Sequence, residues 1–295
     1  MQIARARHAT VELVHVHDMS AVASTLGVAG AGTPMSSPLL IPTAQIAREA
    51  RDASEAYVRT LERQVGVGGS VSVSATILEG NVADALARHA NAVADLVVMT
   101  THGRGGLTRF WLGSVADGVV REATVPILLL RPSDSPNEAD VGRDHRLTDA
   151  LVPLDGSPEA ESVLEPVMDL VGGDNASATC TLLLVQQPIA AIALSSLEAA
   201  IPPEARPHTD DGPTVAYLNS VAERLRSRGI RVHTHATVHT SPARAILDQA
   251  HESEADLIAM ATHGRGGIRR LLIGSVADKV LRGTDRPLLL YRAGA

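Results

Sequence analysis

Apolar residues fall into two rhythms along the chain. Short unbroken runs at 96–99, 127–130, 150–154, 182–185, 257–260 and 288–290 have the length and aliphatic character of strands buried on both faces. Residues 71–77 alternate Val71, Val73, Ala75 and Ile77 with Ser and Thr, the mark of a half-buried strand, and 10–17 and 230–238 read as strands as well. Between these runs the spacing is helical. Ile46, Ala50, Ala53, Tyr57 and Leu61 mark one stripe of a helix over 43–64, and Asn81 is placed to cap a helix over 82–93. Further helices are predicted at 114–122, 158–171, 213–228, 241–253 and from 275. The one at 158–171 opens with Pro158 at its favoured first position and Glu159 and Glu161 in its first turn. Strands alternating with helices predict an α/β fold, a parallel sheet joined by right-handed crossovers with helices on both faces.

The pattern occurs twice. Thr100-Thr101-His102-Gly103-Arg104-Gly105-Gly106 precedes Gly113-Ser114-Val115-Ala116-Asp117, and Ala261-Thr262-His263-Gly264-Arg265-Gly266-Gly267 precedes Gly274-Ser275-Val276-Ala277-Asp278 at the same spacing. We read repeat one as residues 1–131, a polar Pro-containing linker as 132–147, and repeat two as 148–295. Repeat two carries an opening strand that ends in Val152-Pro153-Leu154-Asp155-Gly156-Ser157 and leads into the helix at 158–171; in the same place repeat one has only residues 1–9. That is too short for a strand, a helix and their turns. The stretches 18–42 and 187–212, rich in Gly, Ala, Ser and Pro, read as loops.

Composition narrows the partners. The chain has 295 residues, room for two ordinary domains, and with 2% aromatics its cores must be aliphatic. A formal net charge of -7 argues against non-specific nucleic-acid binding, which needs a basic field. The single cysteine, Cys180, excludes an internal disulfide and suits a reducing compartment. No apolar run approaches the roughly 18 residues of a membrane span, and no signal-like core follows the N-terminus. The expectation is a cytoplasmic protein without membrane or nucleic-acid partners.

A Gly-rich turn leaving a buried strand, with Gly-Ser opening the next helix, presents backbone N–H groups and a helix N-terminus to an anion. In parallel sheets ligands lie at the carboxyl ends of strands where the strand order reverses, and Asp155 and the turn at 261–267 both come after strands there. Taken alone, Asp155-Gly156-Ser157 is a turn and helix cap. Together with Thr-His-Gly-Arg-Gly-Gly and Gly-Ser-Val-Ala-Asp, it resembles the universal stress protein family in tandem form, across nearly all of 149–295 and the last two thirds of 1–131. The family's ATP signature has Gly, two residues, Gly, nine residues, Gly, then Ser or Thr. Here Gly264 and Gly274-Ser275 match it, as do Gly103 and Gly113-Ser114, while Ala261 and Thr100 replace the first glycine.

The resemblance implies two tandem open, Rossmann-like parallel-sheet domains and an ATP site mainly in repeat two, with Mg2+ as an optional companion of the phosphates. Pro153 and Asp155 would border base and ribose and Val185 would pack on adenine. Met260, Ala261, His263, Gly264, Arg265, Gly274, Ser275 and Val276 would surround ribose and phosphates. Val16, Thr100, Gly103, Gly113 and Ser114 are subsidiary repeat-one counterparts. It also implies antiparallel pairing of the two final strands, 127–130 with 288–290, as an intramolecular pseudo-dimer, and is compatible with a further homodimer. The family's strand order, 3-2-1-4-5, puts the missing opening strand at the centre of repeat one. Since an open central groove would leave aliphatic surface in water, strand 11–16 is expected to pair directly with 96–99. A start upstream of Met1 would account for the same absence.

Other residues carry less chemistry. His102 and His263 read as turn-stabilising, since no carboxylate or nucleophile is tied to them by spacing. His233, His235 and His239 read as an exposed strand face, without Cys or acidic partners to make a metal site, and Cys180 reads as a small buried strand residue. The leading function is an ATP-binding stress-response signalling module. The alternatives are a slow ATPase or phosphotransfer enzyme, for which the chain offers no Walker lysine and no positioned base, and a nucleotide-free scaffold.

Overall fold

The computed structural model describes residues 1–17, 43–66, 71–101, 112–131, 147–172, 178–188, 212–262 and 273–292. Their elements run α1 (Gln2–Ala6), β1 (Val11–His17), α2 (Thr43–Gly66), β2 (Val73–Glu79), α3 (Val82–Val93), β3 (Val97–Thr100), α4 (Ser114–Glu122), β4 (Ile127–Leu130), β5 (Asp149–Leu154), α5 (Pro158–Glu161), α6 (Leu164–Val171), β6 (Thr179–Gln186), α7 (Gly212–Arg226), β7 (Arg231–Val238), α8 (Pro242–Glu252), β8 (Leu257–Ala261), α9 (Ser275–Gly283) and β9 (Leu288–Tyr291). They fall into two compact units, Met1–Ala94 with Ser114–Ala123, and Asp95–Gly113 with Thr124–Ala295. Among the described residues no helix is long and apolar enough to cross a membrane.

The larger unit is built on a seven-stranded sheet in the order β3-β4-β9-β8-β5-β6-β7. Neighbours are parallel except β4 and β9, which run antiparallel with Ile127 opposite Leu290, Leu128 opposite Leu289 and Leu129 opposite Leu288. The expected pairing of the two final strands is therefore present. The aliphatic runs explain the arrangement, because Leu128, Leu151, Leu182, Leu257 and Leu289 are wholly buried and leave no face of the central strands for polar residues. Arg131, just past β4, donates from Nη2 to the carbonyls of Leu281 and Arg282 at 3.2 and 3.1 Å, satisfying the open C-terminal carbonyls of α9. Cys180 sits in the same core, where burial pushes its thiol up to about 12 and leaves it inert at neutral pH.

In the smaller unit β1 pairs with β2 in parallel from Val11–Val73 to His17–Glu79. Helix α3 is capped by Asn81, whose side chain accepts from Asp84 N at 3.3 Å, as the sequence predicts. The inward stripe of α2 differs from the expected one. Val58 is buried at 3% exposure, whereas Tyr57 is 48% exposed and sets its ring edge-on to His15 with centroids 6.2 Å apart. The long flat ring can cover strand surface from the rim of the interface, so the shorter Val58 takes the inward position.

Two further expectations are corrected. The helix predicted over 158–171 is broken into α5 and α6 at Ser162 and Val163. Pro166 has no N–H to donate to the carbonyl of Ser162, four residues before it, and its ring crowds that carbonyl. The direct pairing of strand 11–16 with 96–99 is not found among the described residues, where β1 is in a ladder with β2 and β3 in a ladder with β4. In repeat two, β5 is the strand that bridges the corresponding pairs, and repeat one has no such strand among the described residues. β3 shows the consequence, since its Val98 is 50% exposed while Leu257, Ile258 and Ala259 of β8 are fully buried. Backbone amides of β3 are accordingly expected to exchange with solvent faster than those of β8. Equal protection by hydrogen-exchange mass spectrometry would contradict this account of repeat one.

Candidate functional site

The order β9-β8-β5-β6-β7 reverses direction at β5. The chain moves outward from β5 to β6 and β7, then returns through α8 to β8 on the other side of β5. Because all five strands are parallel, the carboxyl ends of β5, β6 and β8 share one edge, the place where α/β sheets hold ligands.

Pro153 opens that edge. β5 pairs with β6 through six residues but with β8 only at Ala150–Leu257 and Leu151–Ile258. Thr179 N donates to Thr148 O on the β6 side, and Asp256 N to Asp149 O on the β8 side. Hydrogen bonding alternates along a parallel strand, so the odd positions of β5 face β8, and Pro153 arrives there with no N–H to give. The ladder ends, and the carboxyl ends of β5 and β8 part.

Asp155 comes directly after the strand. Its Oδ1 accepts from Ser157 N at 2.9 Å and from Ser157 Oγ at 2.5 Å, and Ser157 Oγ in turn accepts from Ala160 N at 3.1 Å, capping α5. Gly156 between them has φ +80, a left-handed conformation that glycine adopts without strain. The carboxylate is thus fixed by a turn at the mouth of the crevice. Pro153 and Val185 are half-buried there, Met260 is buried at 6% exposure, and Ala261 is half-buried.

Across the parting, Gly274 N donates to Thr262 O at 2.7 Å and ties the end of β8 to the start of α9. A Cβ on Gly274 would lie 2.9 Å from that carbonyl oxygen, so a side chain would force the closure apart. Gly113 repeats the contact, with its N 2.9 Å from Thr101 O and a Cβ at 3.1 Å. The final glycine of each Gly-rich stretch is therefore needed for closure as well as for leaving space. α9 begins at Ser275 with no side-chain cap, so its first N–H groups and dipole point outward from the loop's end. Ser275 is exposed and Val276 half-buried.

The residues predicted from sequence divide between the two units. Pro153, Asp155, Val185, Met260, Ala261, Gly274, Ser275 and Val276 all belong to the larger unit, at or just beyond the carboxyl ends of their strands. His263, Gly264, Arg265 and Gly103 lie outside the described residues. In repeat one, Val16 and Ser114 belong to the smaller unit and Thr100 and Gly113 to the larger, so the counterparts lack the single sheet that unites their equivalents in repeat two.

Sequence reading missed Tyr217, Glu161 and Arg224. The Tyr217 hydroxyl donates to Glu161 Oε1 at 2.9 Å, and Arg224 pairs with the other oxygen of Glu161. Burial pushes the Tyr217 phenol well above its ordinary range, and the carboxylates of Glu161 and Asp155 add to the shift. The network ties α7 to α5, the short helix whose cap Asp155 holds. Tyr217 and Arg224 stand two helical turns apart on one face, the one signal available in sequence; their partner on another helix was not.

A parallel run of strands that reverses its order at β5, with helices between the strands, defines an α/β protein of Rossmann-like architecture. The chain belongs to the universal stress protein family, whose model matches residues 1–131 and 148–292. Among its relatives is the universal stress protein Rv2005c of Mycobacterium tuberculosis, 27% identical over 252 residues that cover 83% of this chain and 77% of the relative. A universal stress protein of Mycolicibacterium smegmatis is 26% identical over 248 residues, covering 82% and 76%. The fold is similar to the crystal structure of a universal stress protein from Archaeoglobus fulgidus, with a TM-score of 0.66, 18% identity, and coverage of 99% of this chain and 93% of that one.

Proposed function

We propose that this protein is a cytoplasmic stress-response module made of two universal stress protein repeats, 1–131 and 148–295, that binds ATP in repeat two. The observation that carries this reading is the parting of β5 from β8 beyond Leu151 and Ile258, with Asp155 fixed on one side and the uncapped start of α9 on the other. An acceptor-only carboxylate suits the hydroxyl or amino donors of a nucleoside, and a helix N-terminus suits its phosphates. Pro153, Asp155 and Val185 are assigned to base and ribose. Met260, Ala261, His263, Gly264, Arg265, Gly274, Ser275 and Val276 are assigned to ribose and phosphates. Mg2+, where it accompanies the nucleotide, is held chiefly by phosphate oxygens and water.

Thermal denaturation with and without nucleotide tests this reading. ATP at about 100 times its dissociation constant should add roughly 2.7 kcal/mol of stability, and a melting temperature unmoved by millimolar ATP would leave the scaffold alternative standing. A phosphate-release assay on the same preparation separates binding from turnover, and a binding module should retain its ATP intact.

A further inference from the structure

We propose that His233 and His235 form a two-imidazole binding site for a divalent transition-metal ion of the zinc, nickel and copper class, at the end of the sheet opposite the nucleotide crevice. The observation behind it is the make-up of one sheet face at its β7 edge. β6 and β7 set Thr179, Thr181, His233 and His235 on that face, in register as Thr181 opposite His233 and Leu183 opposite His235. Between that face and the C-terminal end of α8 lies a cavity of about 400 Å³ lined by Asp149, Thr181, His233, His235, Gln249 and Ser253 among others.

The geometry suits a chelate. Residues two apart on a strand project from the same face, about 6.6–6.8 Å apart along the backbone. Two imidazoles at that spacing can converge on one ion at the ordinary metal–nitrogen distance of about 2.0–2.1 Å. Both histidines are exposed, so an ion reaches them from solvent. Imidazole without thiolate selects zinc, copper or nickel over calcium or magnesium.

The electrostatics favour a cation over an anion. Asp149 lines the cavity, and Asp256 lies beside it, its carboxylate accepting from Asp149 N at 3.1 Å and Thr148 N at 2.9 Å. Two guanidiniums offset part of that charge: Arg231, on the same face two residues before His233, and Arg286, whose Nη1 donates to the carbonyl of Ala255. Asp149 stands on β5, two strands from β7, too far to ligate directly, so it acts through water. Among the described residues no three His, Cys, Asp or Glu side chains converge on one point, and water accordingly completes the coordination shell.

The test is equilibrium dialysis of the chelator-treated full chain against ZnCl2 and NiCl2. One saturable equivalent is expected below about 1 mM metal. His233→Ala and His235→Ala should each weaken uptake about tenfold or more, and the double variant should remove it. His8→Asn, at an exposed histidine on the smaller unit, should leave it intact. Circular dichroism should show all variants folded, since both cleft histidines are exposed; His233→Gln with His235→Gln provides a second, polar pair. Absence of saturable uptake by the wild-type chain, or uptake that survives the double substitution, would overturn the site.

Discussion

Substitution Asp155→Ala is expected to abolish ATP binding at the site proposed for repeat two. Isothermal titration of the wild-type protein with ATP should give one tight equivalent, because repeat one has no described strand or acidic turn corresponding to β5 and Asp155. The substitution causes two separate losses. The acceptor for the nucleoside disappears, and so do the bonds from Ser157 N and Oγ to Asp155 Oδ1 that hold the turn. Losing hydrogen bonds to a charged group costs about 1.5–3 kcal/mol, roughly tenfold or more in affinity before any misplacement of the turn. Asp155→Asn separates the two effects, since its amide oxygen can still accept from Ser157 while the charge is gone. Binding retained in full by the alanine variant, or two equal sites in the wild type, would refute the assignment of the crevice.

The second large effect is expected at the seam between the final strands. Leu289 is fully buried, as is Leu128 opposite it in the antiparallel ladder. Leu289→Ala should lower the stability of the larger unit by about 2–5 kcal/mol, the usual cost of emptying a buried leucine site. Val98→Ala on β3 is the comparison, because Val98 is 50% exposed and exposed positions usually change stability by no more than about 0.5 kcal/mol. Urea denaturation followed by circular dichroism measures both. Similar costs for the two would mean that β3 is buried to the same degree as β9.

Much of this protein is readable in its residues. The alternation of aliphatic runs with helical stripes placed the strands and most of the helices to within about two residues, though not α1 at Gln2–Ala6, because strand and helix periodicity are local properties. Even the break between α5 and α6 has a local cause in Pro166, which helical periodicity alone passed over. The doubled Gly-rich stretch marked the repeat and the family. Sequence also singled out Asp155, Pro153 and Gly274, but not their structural tasks. That Pro153 ends the β5–β8 ladder depends on which side of β5 its missing N–H faces, and that Gly274 must lack a side chain depends on the 2.9 Å approach to Thr262 O. Both depend on how separate segments of the chain are brought together.

Tertiary structure alone decided the rest. The aliphatic content of β1 and β3 suggested that they would pair, but a ladder requires a compatible register and edge, and in this chain each took its partner from the other side, β2 and β4. His233 and His235 read in sequence as a plain exposed strand face, because the carboxylate of Asp149 that shares their cavity enters from β5, far earlier in the chain. Local pattern determines which segments become strands and helices; which neighbours they find, and which polar groups are thereby brought into one place, is settled by the whole sheet.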